Sequence, residues 1–164
     1  MDFSLTDRLS SVSLIEDRPR VRTPEIEQEL NVAIYDLIEE NRFRPSAKPD
    51  QAQVPGPYRL GIGMAERMLV LNVKADNEDP ITEMRLSISP LRGIIKDYFA
   101  ICEQYFDAVK RLPPSKIEAI DMGRRGLHNE GAELLAERLE GKIDCDQQTA
   151  RRLFTVICAL QFQG

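Results

Sequence analysis

The amino-acid sequence predicts an α+β fold: a small antiparallel sheet of three to four strands, with four or more helices packed mainly on one face. Three observations carry that reading. Between residues 58 and 89, apolar residues recur at every second position. The connections inside that stretch, Ala65-Glu66 and Asp76-Asn77-Glu78-Asp79-Pro80, are too short to hold a crossover helix, so neighbouring strands pair antiparallel. On both sides of it, apolar residues recur at helical spacing behind recognisable start signals.

Leu9 to Ile15 alternates weakly and reads as a strand, with Val12 and Leu14 facing inward. Thr23, Pro24 and Glu25 then form a helix start, combining a capping hydroxyl, a proline suited to the first turn and a carboxylate at the positive dipole end. Ile26, Leu30, Ile34, Leu37 and Ile38 carry that helix to about Glu40. Asn41 to Pro57 contains Pro45, Pro49, Pro55, Gly56 and Pro57 and reads as an extended surface loop. Strands follow at Tyr58 to Ile62, Met68 to Lys74 and Ile81 to Ser89. Ser89 and Pro90 open a long helix to Arg111 with a broad apolar stripe that includes Ile94, Ile95, Tyr98 and Cys102.

Leu112-Pro113-Pro114 ends that helix, and Ser115 with Glu118 forms a capping box for another through roughly Met122. A break is expected at Gly123. Ala132, Leu135, Ala136 and Leu139 then define a short helix closed by Gly141, and Asp144 or Asp146 caps a last one. Ala150, Leu153, Phe154, Val156, Ile157, Ala159 and Leu160 cover most of that last helix's circumference. It must therefore be surrounded by protein, either the rest of the domain or a second subunit in a homodimer.

Composition sets the outer limits. A chain of 164 residues, 42% hydrophobic and 30% charged, is read as one domain over residues 1–164 that can bury a core without disulfide or metal staples. The net charge of −5 and a pI near 5.1 are unsuited to an extended nucleic-acid footprint, which needs clustered Lys and Arg. No apolar stretch approaches a bilayer span, and the first residues lack the basic-then-apolar order of a leader. Cys102, Cys145 and Cys158 have no C-x-x-C spacing and read as reduced thiols, so a cytoplasmic location is expected. The lone histidine with scattered carboxylates lacks the spacing of a metal site, and no cofactor is indicated.

The chemistry concentrates in Asp121 to Gly131, which holds three glycines, Arg124, Arg125 and the single histidine, His128. Read as a turn, this segment would present the N–H groups of Glu130 to Ala132 at a helix start capped by Asn129, an arrangement suited to phosphate or carboxylate. Arg124, Arg125, His128 and Asn129 are thus the candidate ligand-binding residues. The expected function is non-enzymatic binding or regulation through a small anion, a nucleotide or an acidic protein segment. The plainer use of the same residues is structural: the glycines turn one helix into the next, while Arg124 and Arg125 pair with Asp121, Glu130 or Glu133. An enzymatic alternative, a small hydrolase or transferase, would employ His128 as general acid or base oriented by Asp121 or Glu130. For His128, fixing the turn is the simpler role. Arg151 and Arg152, on the last helix, read as solvated or salt-bridged.

Several segments together resemble one family. They are Thr-Pro-Glu-Ile-Glu at 23–27, Asp-Leu-Ile-Glu-Glu-Asn at 36–41, Gly-Pro-Tyr-Arg-Leu at 56–60, Ser-Pro-Leu-Arg at 89–92, Asp-Tyr-Phe at 97–99, the fifteen-residue run from Ile117 to Gly131, and Thr149 to Thr155. Over nearly its whole length the chain resembles uncharacterised protein family 0262, found mainly in alphaproteobacteria. The resemblance implies no activity and no catalytic residues. Where relatives are expected to end with His-Trp before a terminal Arg-Gly, this chain reads Gln161-Phe162-Gln163-Gly164, so a site requiring that second histidine would be absent.

Overall fold

A computed structural model describes residues 2–16 and 21–162, which leaves the last two residues of the variant C-terminus outside it. Strand β1 (Leu9–Ile15) is followed by helix α1 (Pro24–Glu39), a short strand β2 (Phe43–Pro45), and the strands β3 (Tyr58–Ala65), β4 (Met68–Ala75) and β5 (Pro80–Ser87). Helices α2 (Arg92–Arg111) and α3 (Pro114–Leu139), strand β6 (Ile143–Cys145) and helix α4 (Gln147–Gln161) complete the chain. The fold is α+β, as the pattern of elements predicts.

The main sheet has the order β1-β3-β4-β5. The meander of β3, β4 and β5 is antiparallel as expected, pairing Leu60 with Val73 and Leu71 with Met84. The sheet as a whole is mixed, because β1 runs parallel to β3. The reason was present in the chain: the link from β1 to β3 contains all of α1, long enough for the crossover that parallel pairing demands. A second sheet pairs β2 with β6 inside what reads from sequence as loop. Pro45 is tolerated there because a three-residue edge ladder asks for few N–H donors.

Leu60, Ile62, Leu69, Leu71, Val73 and Leu86 line the buried face of the sheet and join the helices in one apolar cluster. At its centre lies α4, packed against α1, α3 and β3. Leu153, Phe154, Val156, Ile157, Cys158, Ala159 and Leu160 are all buried. Its apolar circumference is covered by its own chain, which removes the packing reason for a second subunit at this helix. Asn41, 4% exposed, fixes the end of α1 against β1: its Oδ1 accepts from the Leu9 N–H at 2.7 Å, and its Nδ2 donates to the carbonyls of Leu9 and Leu37.

Helix starts differ in detail from the sequence reading. Thr23 accepts from the Ile26 N–H and Asp146 from the Thr149 N–H, as capping chemistry requires. Ser89–Leu91 instead forms a 3₁₀ turn ahead of α2, and α3 begins at Pro114 with no side-chain cap, so Ser89 and Ser115 do not cap.

The largest correction concerns the glycine-rich segment. It is no loop: α3 runs unbroken from Pro114 to Leu139, with Gly123, Gly126 and Gly131 in its interior. A Cβ at Gly131 would lie 2.1 Å from Phe154 Cζ, and one at Gly123 would lie 2.8 Å from Ile101 Cδ1. Gly131 lets α3 approach α4 closely, whereas at Gly123 the contact is the terminal methyl of a flexible side chain that can turn aside. At Gly126 an added Cβ meets nothing within 4 Å. A residue that reads as backbone permissiveness is, at Gly131, an absent side chain at a helix crossing.

Candidate functional site

With α3 continuous, the N–H groups of residues 130–132 belong to the interior of a helix and cannot form an anion nest. Asn129 lies mid-helix and exposed, so it caps nothing. The other three candidates are brought together, along with residues whose position the sequence did not reveal. One turn of α3 projects Arg124, Arg125 and His128 into an open cleft of about 570 Å³, whose other walls are α1, α4 and Tyr98 of α2. From α4 come Gln148, Arg151, Arg152 and Thr155, the polar stripe of a helix that is mostly apolar from Leu153 to Leu160. Asn129, one residue beyond His128, is turned away from it.

Four guanidinium groups face two carboxylates across this cleft, Glu29 and Asp36. Two of the four are committed to structure. Arg124, only 23% exposed, donates to Asp121 Oδ1 at 2.7 Å and to Glu29 Oε1 at 3.2 Å, and lies 4.4 Å above the Tyr105 ring. Asp121 is among the partners expected from sequence; Glu130 and Glu133 are not used by the arginines. Arg152 donates to the carbonyls of Glu40, at 2.7 Å, and Asp36, closing the C-terminal end of α1.

The remaining two are differently placed. Arg125 holds Asp121 Oδ2 at 2.9 Å, but its side chain is 71% exposed and most of its donors face water. Arg151 is partly buried, and among the described residues its guanidinium makes no hydrogen bond or ion pair.

His128 occupies the floor between the Tyr98 and Phe154 rings, each 5.3 Å away. Its Nε2 lies 2.7 Å from the Thr155 hydroxyl, and that hydroxyl in turn lies 3.3 Å from the Arg151 carbonyl. Because the hydroxyl has one proton to give to the carbonyl, Nε2 is the donor to Thr155 and Nδ1 carries the lone pair. Among the described residues, Nδ1 is buried without a partner. Burial, with the charges of Arg151 and Arg124 added, pushes His128 down to about 4. Neither nitrogen meets a carboxylate, and the ring is neutral near pH 7.

Carboxylate titration follows the same geometry. Burial raises Glu29, against the opposing pull of Arg124 and the Tyr98 hydroxyl, whereas the hydrogen bond from Arg124 holds Asp121 below the usual range. The thiols are not activated: burial pushes Cys102 up to about 11 and Cys145 up to about 12. Among the described residues no three His, Cys, Asp or Glu side chains form a metal-holding group, and no described helix is long and apolar enough to cross a membrane.

The model of the Uncharacterised protein family UPF0262 matches residues 6–163. The chain belongs to UPF0262. It is 52% identical over 157 residues to a UPF0262 protein of Ruegeria pomeroyi, covering 96% of this chain and 98% of that one. It is likewise 52% identical over 156 residues to a UPF0262 protein of Cereibacter sphaeroides, covering 95% and 99%. A UPF0262 protein of Dinoroseobacter shibae is 56% identical over 140 residues, covering 85% and 88%. No solved structure matches this UPF0262 chain.

Two signals for the cleft were in the sequence of this UPF0262 member. Gln148, Arg151, Arg152 and Thr155 recur at helical spacing on a helix that is mostly apolar from Leu153 to Leu160. Arg124, Arg125 and His128 share one face only if the glycine-rich segment is helical, so reading that segment as a turn hid the pairing of the two arginine doublets.

Proposed function

We propose that this protein is a binding or regulatory protein whose cleft between α1, α3 and α4 takes an anionic group, presented by a small molecule, a nucleotide or an acidic protein segment. The observation that carries the reading is Arg151: a partly buried guanidinium that makes no ion pair or hydrogen bond among the described residues, on the same cleft as the largely free Arg125. Leaving a cation partly desolvated and unpaired costs free energy that an anion would recover. Burial lowers His128 most, and Arg151 adds to it, which places the Arg151 charge close to the floor of the cleft. The anion would be held by guanidinium groups, in place of the backbone N–H groups that a glycine turn would have offered. His128 then serves to position Thr155 and the floor, and its geometry does not favour the acid–base alternative. Three unpaired cysteines fit a reducing compartment, and a cytoplasmic location belongs to this reading.

Thermal unfolding in phosphate and in chloride at matched ionic strength tests it. Phosphate at ten times its dissociation constant should add about 1.4 kcal/mol of stability. Arg151→Ala and Arg125→Ala should abolish that gain while leaving stability in chloride within about 0.5 kcal/mol of the parent. Identical unfolding in the two salts would contradict the proposal.

A further inference from the structure

The two edges of the main sheet are finished differently. On the β1 side, the Leu9 N–H and carbonyl are both met by Asn41, and α1 packs alongside. On the β5 side, no described backbone or side-chain group bonds to the outward edge of Pro80–Ser87. The loop that includes Ser46, Lys48 and Gln53 forms, with Ile81–Arg85, the walls of a groove of about 300 Å³ and makes no hydrogen bond to the β5 backbone among the described residues. An eight-residue strand with a free edge is a template for another strand, and proteins usually shorten, bend or cover such edges.

The residues along this edge specify a partner. Pro80 has no N–H and Ile81 sits at a bulge, since Thr82 pairs with Val73 and Pro80 with Lys74, so the segment able to form a regular ladder is Thr82 to Ser87. On the face of the sheet away from the core, β5 carries Glu83 and Arg85, with side chains 51% and 55% exposed. If β5 pairs antiparallel with itself about an axis at Met84, Thr82 to Leu86 form the regular ladder, and Glu83 of each copy stands directly opposite Arg85 of the other. Shifting the register by one same-face step in either direction sets Glu83 against Glu83 or Arg85 against Arg85, which like-charge repulsion disfavours. Charge complementarity selects the register about Met84. Within one chain the Glu83–Arg85 contact is loose, at 3.7 Å, so little is lost when each turns to the second copy.

We propose that β5 is a homodimer edge, joining two four-stranded sheets into one continuous sheet about a two-fold axis at Met84. The partner is a second copy of this chain, and the contact is isologous. This assignment is independent of the anion cleft and of α4.

Light scattering and sedimentation equilibrium of the full chain test it with charge reversal. The parent should approach twice the 18.7 kDa chain mass at about 100 µM, with mass falling on dilution as mass action requires. Glu83→Arg and Arg85→Glu each place like charges opposite one another twice, and each should weaken the dimer about tenfold or more. The double variant E83R/R85E should dimerise again. Mixing the two single variants should also restore the dimer, because each then meets its complement in the other. Both positions are exposed, so unchanged circular dichroism is expected throughout. A parent that stays at the monomer mass, or a dimer indifferent to both reversals, would overturn the proposal.

Discussion

Helices α3 and α4 cross one another and meet the requirements of a close contact in opposite ways. Around α4, large apolar side chains are packed on nearly every side, with one polar stripe left for the cleft. The apolar residues of α3 follow no single face, and it reaches its neighbour by omission: at Gly131 the Phe154 ring occupies the space a side chain would take. Each solution depends on the other. Here the fully buried Phe154 ring fills the space that the missing Cβ of Gly131 leaves. The comparison teaches that a glycine cluster between arginines marks close helix approach as readily as it marks a phosphate-binding turn. Only the partner surface distinguishes them.

Substituting the glycines breaks or sharpens that contrast. The largest effect is expected for Gly131→Ala, whose methyl would lie 2.1 to 2.6 Å from three atoms of the Phe154 ring. That ring is held by Tyr98 and His128 and has nowhere to go. Chemical denaturation should show a loss of about 3 kcal/mol. A loss below about 0.5 kcal/mol would mean that α3 and α4 do not meet at this point.

The His128 floor gives the next effect, and its sign follows from linkage. In the folded protein His128 sits at about 4, below its unfolded value of about 6.5. The unfolded chain therefore binds the proton first as pH falls. Stability from the neutral ring is nearly complete above about pH 6.5 and is lost as pH falls toward about 4, by about 3 kcal/mol at the lower end. His128→Leu removes this term, so its stability difference from the parent should change by that amount between pH 7 and pH 4. A difference that stays constant with pH would show that His128 titrates normally.

A smaller effect of opposite sign is expected at Gly126, where an added methyl meets nothing. Alanine is the better helix former, and Gly126→Ala should stabilise the protein by about 0.5 to 1 kcal/mol. A destabilisation would instead fit a bent segment needing glycine's freedom. Opposite signs for two alanine substitutions five residues apart are a stringent demand on the unbroken helix.

How much of this was legible in the sequence depends on where the deciding information lies. Thr23 and Asp146 announce their helices because a cap is a local interaction, satisfied within three residues. The meander was readable from alternation and short links for the same reason. The parallel placement of β1 is non-local, and only the length of the intervening helix hints at it. The role of Gly131 was not legible at all, since it is fixed by Phe154, distant in sequence. Arg124 and Arg125 show the same limit within a site. Adjacent on a helix, they point about 100° apart; Arg124 turns into Glu29, Asp121 and Tyr105, while Arg125 turns to water. Arg152 and Arg151 divide in the same way, one closing α1 and the other unpaired among the described residues. Residue type made all four candidates for an anion, and only geometry separates those with donors to spare.

The claim that Arg151 awaits an anion is tested most directly by the chain's single histidine, which gives one unambiguous titrating resonance. Proton NMR can follow His128 between pH 3 and pH 7 in sulfate and, at equal ionic strength, in chloride. An anion seated on Arg151 neutralises a charge that now opposes protonation of the ring, so the midpoint in sulfate should lie about half to one pH unit above that in chloride. Arg151→Gln should raise the chloride midpoint in the same direction and erase the difference between the salts. Superimposable curves for the parent in sulfate and chloride would contradict the account.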